Sequence, residues 1–189
     1  MDDLVRQAMA KWPNVPDCYG WLGLDSRGQW HMRDDRVQAL GTFQSAVPGA
    51  KGSVLRHDKL IDFIHRNYEA DAQGCWYFQN GPQRVYVELE RTPLIWRVAH
   101  DGSIAAHTGR QGQLLDCLMD EAGYLYLNTP VGLGLVHTLD VGVAADLIEA
   151  GHWSLQTCRS EEMPQRFGYV PSPQQMLNIK KPTSGRLLG

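Results

Sequence analysis

Residues 19–32 read YGWLGLDSRGQWHM, and two later stretches, YEADAQGCWYF at 68–78 and CLMDEAGYLYL at 117–127, follow the same plan. Each places Asp-x-x-Gly ahead of a run in which aromatic and aliphatic residues alternate. Aspartate at the first position and glycine at the fourth suit a type I turn whose last residue takes positive φ. The period-two run that follows is the signature of a half-buried strand. The motif therefore predicts β-hairpins. An offset of 46 lays Asp25 on Asp71, Gly28 on Gly74, Trp30 on Trp76 and Met32 on Phe78. An offset of 49 lays Asp71 on Asp120, Gly74 on Gly123, Trp76 on Leu125, Phe78 on Leu127 and Val87 on Val136. Any half-buried hairpin would share this content, so the echo supports a meander of hairpins while leaving descent from a repeated unit open.

The remaining elements follow from periodicity and punctuation. Leu4, Val5, Ala8, Met9 and Trp12 have helical spacing, and Pro13 ends that helix. Residues 34–53 hold a short helix and a Pro/Gly-rich loop. Leu60, Ile61, Ile64 and Tyr68 predict an amphipathic helix within 55–68. Hairpins are expected at 75–90 and 114–127, and Asp101-Gly102 predicts a two-residue type I′ turn. A strand is expected at 133–139. Asp140 is placed to cap a helix over 141–150 that Gly151 stops. From Ser154 the composition turns to Pro, Gln and Ser. The expected organisation is one α+β domain over 1–153, a mainly antiparallel sheet with two or three packed helices, and an extended or partly disordered C-terminal arm over 154–189.

Composition limits the function classes. The chain has 189 residues, 43% hydrophobic and 21% charged, with a formal net charge of −3. That is a folded domain with no electrostatic footprint for nucleic acid. The opening MDDLVRQAMAKWPNVPD lacks the apolar run of a secretory signal, and no segment is apolar for the roughly 20 residues a membrane span needs. A cytoplasmic protein that binds neither membrane nor nucleic acid is expected.

The segments DAQGCWYFQNGPQRVYVELERTPLIWRV and DEAGYLYLNTPVGLGLVHTLD resemble parts of small proteobacterial proteins classed as domains of unknown function, in which such a strand runs into a TPV turn and a long strand. The resemblance covers residues 16–153. It implies the fold and imports no activity and no functional residue.

Candidates for chemistry are few. Cys18, Cys75, Cys117 and Cys158 lack the close spacing of a zinc site and read as buried thiols. Cys18, at a loop-to-strand junction, is the one weak candidate nucleophile. His57 and His65 lie about 12 Å apart along one helix, too far to share an ion, and His100 and His107 flank a turn at different depths. No metal site or cofactor is implied. GLGLVH and GAKGS miss the phosphate-loop spacings. Glu88 and Glu90, beside Arg84 and Arg91, read as the wet side of an edge strand. The aromatics are more suggestive: Tyr77, Tyr124 and Tyr126, with Tyr86, are placed on an outer sheet face that either recognises a ligand or is covered by a helix. The leading expectation is a non-catalytic binding or adaptor module that meets a protein or peptide partner through this face or the arm. The alternative is a small-metabolite enzyme with a Cys18 or His/Glu pocket, and homodimerisation is a third expectation.

Overall fold

Every Asp-x-x-Gly motif turns a chain back on itself in the computed structural model, which describes residues 2–180. Oδ1 of Asp25 accepts from the backbone N–H of Arg27 and Gln29, Oδ1 of Asp71 from Gln73 and Cys75, and Oδ1 of Asp120 from Ala122 and Tyr124, all at 2.8–3.0 Å. The fourth residue sits at positive φ in each turn: Gly28 at 77°, Gly74 at 81° and Gly123 at 81°. The aspartate satisfies donors that the turn would otherwise leave unpaired, and glycine carries the left-handed step without a Cβ clash.

The class is α+β, with the strands divided between two mixed sheets. The first contains β1 (Cys18–Leu24), β2 (Trp30–Met32), β3 (Ser53–Val54), β4 (Tyr68–Ala70), β5 (Trp76–Asn80) and β6 (Gln83–Leu89), in the order β3-β2-β1-β6-β5-β4. The second contains β7 (Leu94–Val98), β8 (Ile104–Ala106), β9 (Gln111–Gly112), β10 (Asp116–Met119), β11 (Leu125–Thr129), β12 (Gly132–Val136) and β13 (Leu155–Thr157). Its order is β13-β10-β11-β12-β7-β8-β9, which repeats the first sheet and adds β13 at one edge. Both sheets have a parallel pair at the centre, β1 with β6 and β7 with β12, and antiparallel pairs around it, except that the added edge strand β13 runs parallel to β10. The register repeats too: Leu22 faces Val87 in one sheet and Trp96 faces Val136 in the other. The 49-residue offset read from the turns thus carries β4–β6 onto β10–β12.

Six α-helices accompany the sheets among the described residues: α1 (Asp3–Lys11), α2 (Asp35–Leu40), α3 (Asp58–Arg66), α4 (Val141–Glu149), α5 (Met163–Phe167) and α6 (Pro173–Lys180). The main core draws Leu24, Trp30, Phe78, Val87 and Leu89 from the first sheet and Trp96, Leu118, Leu127 and Leu135 from the second. Ile64 of α3 and Leu147 of α4 join them. A separate small cluster of Cys75, Tyr77 and Tyr86, with Tyr19, Val170 and Met176 against it, lies on the other side of the first sheet.

Three local expectations are corrected. The Asp101-Gly102 turn is a four-residue turn, because Gly102 N–H bonds to Ala99 O and only Gly102, at φ 81°, is left-handed. A type I′ turn would force Asp101 there as well, at a steric cost that glycine alone avoids. Asp140 does not cap α4 with its side chain. Its carboxylate takes the Arg97 guanidinium and the Val98 N–H instead, since an ion pair with a backbone donor added outweighs one capping bond. Glu88 is not on an edge strand: β6 lies between β1 and β5, and Glu88 is 1% exposed. Of the segment 154–189, residues 155–180 carry β13, a short 3₁₀ turn, α5 and α6, while 181–189 fall outside the described residues.

Candidate functional site

The two-sheet division decides the fate of the tyrosines. Tyr77 and Tyr86 lie on the first sheet, in the small outer cluster, and Tyr126 belongs to the main core. Tyr124 immediately precedes β11 of the second sheet, so the four do not form one face. Tyr77, Tyr86 and Tyr126 are buried, and only Tyr124 is exposed, at 37%. Their hydroxyls are engaged: Tyr77 donates to Glu69 at 2.6 Å, Tyr86 to Asp71 at 3.0 Å and Tyr126 to Asp120 at 2.8 Å. Burial, then the acidic partner, pushes the Tyr77 phenol up to about 12. The Arg91 guanidinium lies 3.7 Å from the Tyr124 ring centre. Asp71 and Asp120 thus spend one oxygen on their turn and the other on a tyrosine, a second role the turn spacing does not announce.

What the sequence reading missed is an apolar pocket on the opposite side of the first sheet. The register of β1 against β6 shifts by two residues between Cys18 and Leu22, and Trp21, within that stretch, is exposed. The space left between the sheet and α3 is a half-open cavity of about 230 Å³. Leu22, Ile64, Phe78 and Val85 line it, and Trp21 and Met32, 41% and 49% exposed, stand at its rim. Asn80 and Cys18 are the residues of its lining that are neither aliphatic, aromatic nor methionine. A larger open groove of about 580 Å³ beside α1, lined by Trp12, Pro16, Gln79 and Arg84 among others, is mostly polar. The signal for the apolar pocket was present as Trp21 and Met32, apolar residues at strand positions where the chain needs none for its core.

Cys18 sits at the pocket, and burial pushes its thiol up, which keeps it protonated at neutral pH. It makes no hydrogen bond to a base among the described residues, so the geometry gives no activated nucleophile. His57, His65 and His107 have structural partners. His57 Nδ1 accepts from Leu60 N–H at the start of α3. His107 Nδ1 accepts from Ile95 N–H, and its ring packs on Trp30, Tyr68 and His65 at 5.6–5.9 Å between centres. Trp30 Nε1 donates to His65 Nε2 at 3.0 Å. No group of three or more His, Cys, Asp or Glu converges on a metal-sized site among the described residues.

Burial, followed by the His65 and Arg110 charges, pushes His107 down to about 3. It is therefore neutral in the fold, whereas the unfolded chain gains its proton below about 6.5. The stability tied to this neutrality is complete above pH 6.5 and drains as pH falls toward 3, at up to about 1.4 kcal/mol per pH unit. Urea midpoints measured from pH 7 to 4 are expected to fall more steeply for the wild type than for His107→Leu. Parallel curves would contradict this assignment.

Residues 1–174 match the family described as "Protein of unknown function (DUF2946)". The chain belongs to that family. No curated protein matches it. The chain is similar to two solved structures. One, a DUF1285 family protein from Silicibacter pomeroyi DSS-3, is 14% identical, with a TM-score of 0.47 over 78% of this chain and 85% of its own. The other, a DUF1285 family protein from Shewanella baltica OS155, is 12% identical, with a TM-score of 0.44 over 67% of this chain and 91% of its own. No helix among the described residues is long and apolar enough to cross a membrane.

Proposed function

We propose that the protein is a non-catalytic binding module of the cytoplasm that receives an apolar side chain of a protein or peptide partner in the pocket between α3 and the first sheet. The observation that carries this reading is the lining: no charged side chain contributes to it, and tryptophan and methionine stand exposed at its rim. Those two residue types are enriched at the centres of protein interfaces, where a partner's anchor is desolvated. Methionine also adapts its shape to differing occupants at little cost. A half-open pocket of this size suits one anchor presented from outside rather than an enclosed metabolite. The enzyme alternative has less behind it, because the Cys18 thiol is protonated and has no base.

The test is selection of random peptides on the immobilised protein, followed by titration of the winners. The winners are expected to carry a Leu, Ile or Phe anchor and to lose ten-fold or more in Kd against Trp21→Ser/Met32→Ser, about 1.4 kcal/mol. Peptides that bind the double variant unchanged, or a selection that yields none, would refute the assignment of this pocket.

A further inference from the structure

The outer face of the first sheet, on the side away from the apolar pocket, already has an occupant. Residues 169–180 lie across it in the manner of a bound peptide. Val170 N–H donates to Gly74 O at 2.9 Å, and Leu89 N–H donates to Pro171 O at 2.8 Å, so the segment is held by main-chain bonds. Val170 and Met176 pack onto Cys75, Tyr77 and Tyr86, with Tyr19 stacked on Tyr86 at 4.6 Å and 7°. Tyr169 is sunk into the main core. Residues 169–172 supply the main-chain bonds and α6 the rest of the cover, so the occupant is a short non-helical stretch followed by a helix.

Side-chain bonds then fix the register. Glu88, buried in mid-sheet, accepts from the Ser172 hydroxyl and from Gln174 N–H at 3.1 Å. Ser172 Oγ in turn accepts from Gln175 N–H in the first turn of α6. Gln44 Nε2 bridges Pro171 O and Leu89 O, both at 3.0 Å, and Gln174 Nε2 reaches Gln38 Oε1 at 2.9 Å. Pro171 and Pro173 preset the backbone on either side of Ser172, with Pro173 at the first position of α6. This lowers the entropy lost on docking. Gly168, at φ 65°, is the left-handed joint between α5 and the segment.

We infer that this face is an exchangeable peptide site, filled by residues 169–180 of the same chain in the monomer and by the same residues of a second copy in a swapped dimer. The occupant in trans is identical in chemistry to the one seen in cis, so every contact above is regained. The Gly168 joint supplies the change of direction. The tethered segment faces its own site at an effective concentration of millimolar order, so cis occupancy prevails until it is blocked. This inference concerns the other face of the sheet and stands whether or not the apolar pocket binds a partner.

Complementation between two full-length variants tests it. In one, Gly74→Ala places a Cβ 2.2 Å from Gly168 O and closes the face to the segment. Because φ 81° at Gly74 also strains the turn after Asp71, Gln44→Ala with Glu88→Gln, which removes the bonds to Pro171, Ser172 and Gln174, takes its place under the same criteria should it fail to fold. In the other, Val170→Asp with Met176→Asp spoils the segment and leaves the face intact. Each alone is expected to run as a monomer by light scattering, and their mixture to give a species of twice the 21.2 kDa chain mass. A fluorescent peptide covering 169–180 is expected to bind the second variant saturably, and to lose ten-fold or more in affinity when Gly74→Ala is added. A mixture that stays monomeric, with both variants unfolding cooperatively in urea, overturns the inference even if the peptide binds. Should the double aspartate variant fail to fold, Gln174→Ala with Met176→Ala loosens the segment more gently and takes its place under the same criteria.

Discussion

Arg33→Met is expected to destabilise the protein by about 3–5 kcal/mol, which for a chain of this length lowers Tm by about 10 °C or more. Arg33 is 1% exposed. Its Nε donates to Ala50 O at 2.8 Å, its Nη1 to Gly20 O at 3.3 Å and its Nη2 to Gly41 O. These three carbonyls come from β1, the residue after α2 and the loop before β3, so one side chain ties the loop over residues 41–52 to the sheet. Methionine is of similar size and takes the guanidinium donor from all three carbonyls, two of them on the buried Gly20 and Ala50, where each lost bond costs about 1–3 kcal/mol. It also removes the positive charge that favours the buried Glu88 carboxylate, which burial already pushes up. Arg33→Lys is expected to recover less than half of the loss, because a single ammonium cannot reach three acceptors spread across a planar fork. Urea unfolding of the three proteins decides the matter, and a methionine variant within 1 kcal/mol of wild type would contradict the role given to this residue.

Arg33 also shows where sequence reading stops. The hairpins were legible because turn chemistry and side-chain alternation are local: Asp25, Asp71 and Asp120 bond to backbone two and four residues ahead. α1, α3 and α4 were legible because their apolar spacing is local too. Nothing local says that Arg33, five residues past a turn glycine, is buried, or that Glu88 meets Ser172 across 84 residues of chain. Both look like surface charges until tertiary structure supplies their partners. The tyrosines misled for a related reason. Alternation shows that Tyr77 and Tyr126 face away from their neighbours Phe78 and Leu127, but it does not say that they stand on different sheets. The partition into two sheets depends on the parallel pairings of β1 with β6 and β7 with β12. The first joins residues about 65 apart in the chain and the second residues 40 apart, and neither carries a turn signature. The pocket at Trp21 was hidden by the irregularity in β1, which breaks the period-two pattern at that point.

The two sheets solve one packing problem in two ways, and exchanging the solutions is expected to produce a strong coupling. At the centre of the second sheet Trp96 is fully buried, and its Nε1 donates to Leu127 O at 3.1 Å. Its ring fits because Gly134, on the neighbouring strand, has no side chain: a Cβ there would stand 2.5 Å from two indole atoms and 2.8 Å from Leu94 O. The first sheet has Leu22 opposite Val87 where the second has Trp96 opposite Val136, and Val85, two residues before Val87 on β6, where the second has Gly134 on β12. Gly134→Val alone is expected to cost about 3 kcal/mol or more, because the ring cannot move within a close-packed interior. Trp96→Leu alone opens a cavity and leaves Leu127 O without its indole donor, for about 3 kcal/mol. Together they reproduce the leucine–valine arrangement that the first sheet uses at the same place. The double variant is therefore expected to be more stable than the sum of the singles predicts by about 2 kcal/mol, within the range found for residues in contact. The backbone of Leu94 limits the recovery, since its carbonyl lies near the new Cβ whichever residue occupies position 96. Chemical unfolding of the four proteins closes the cycle. Strict additivity would mean that Trp96 and Gly134 are matched by chance, and that the two halves share a strand order without sharing the way their centres are filled.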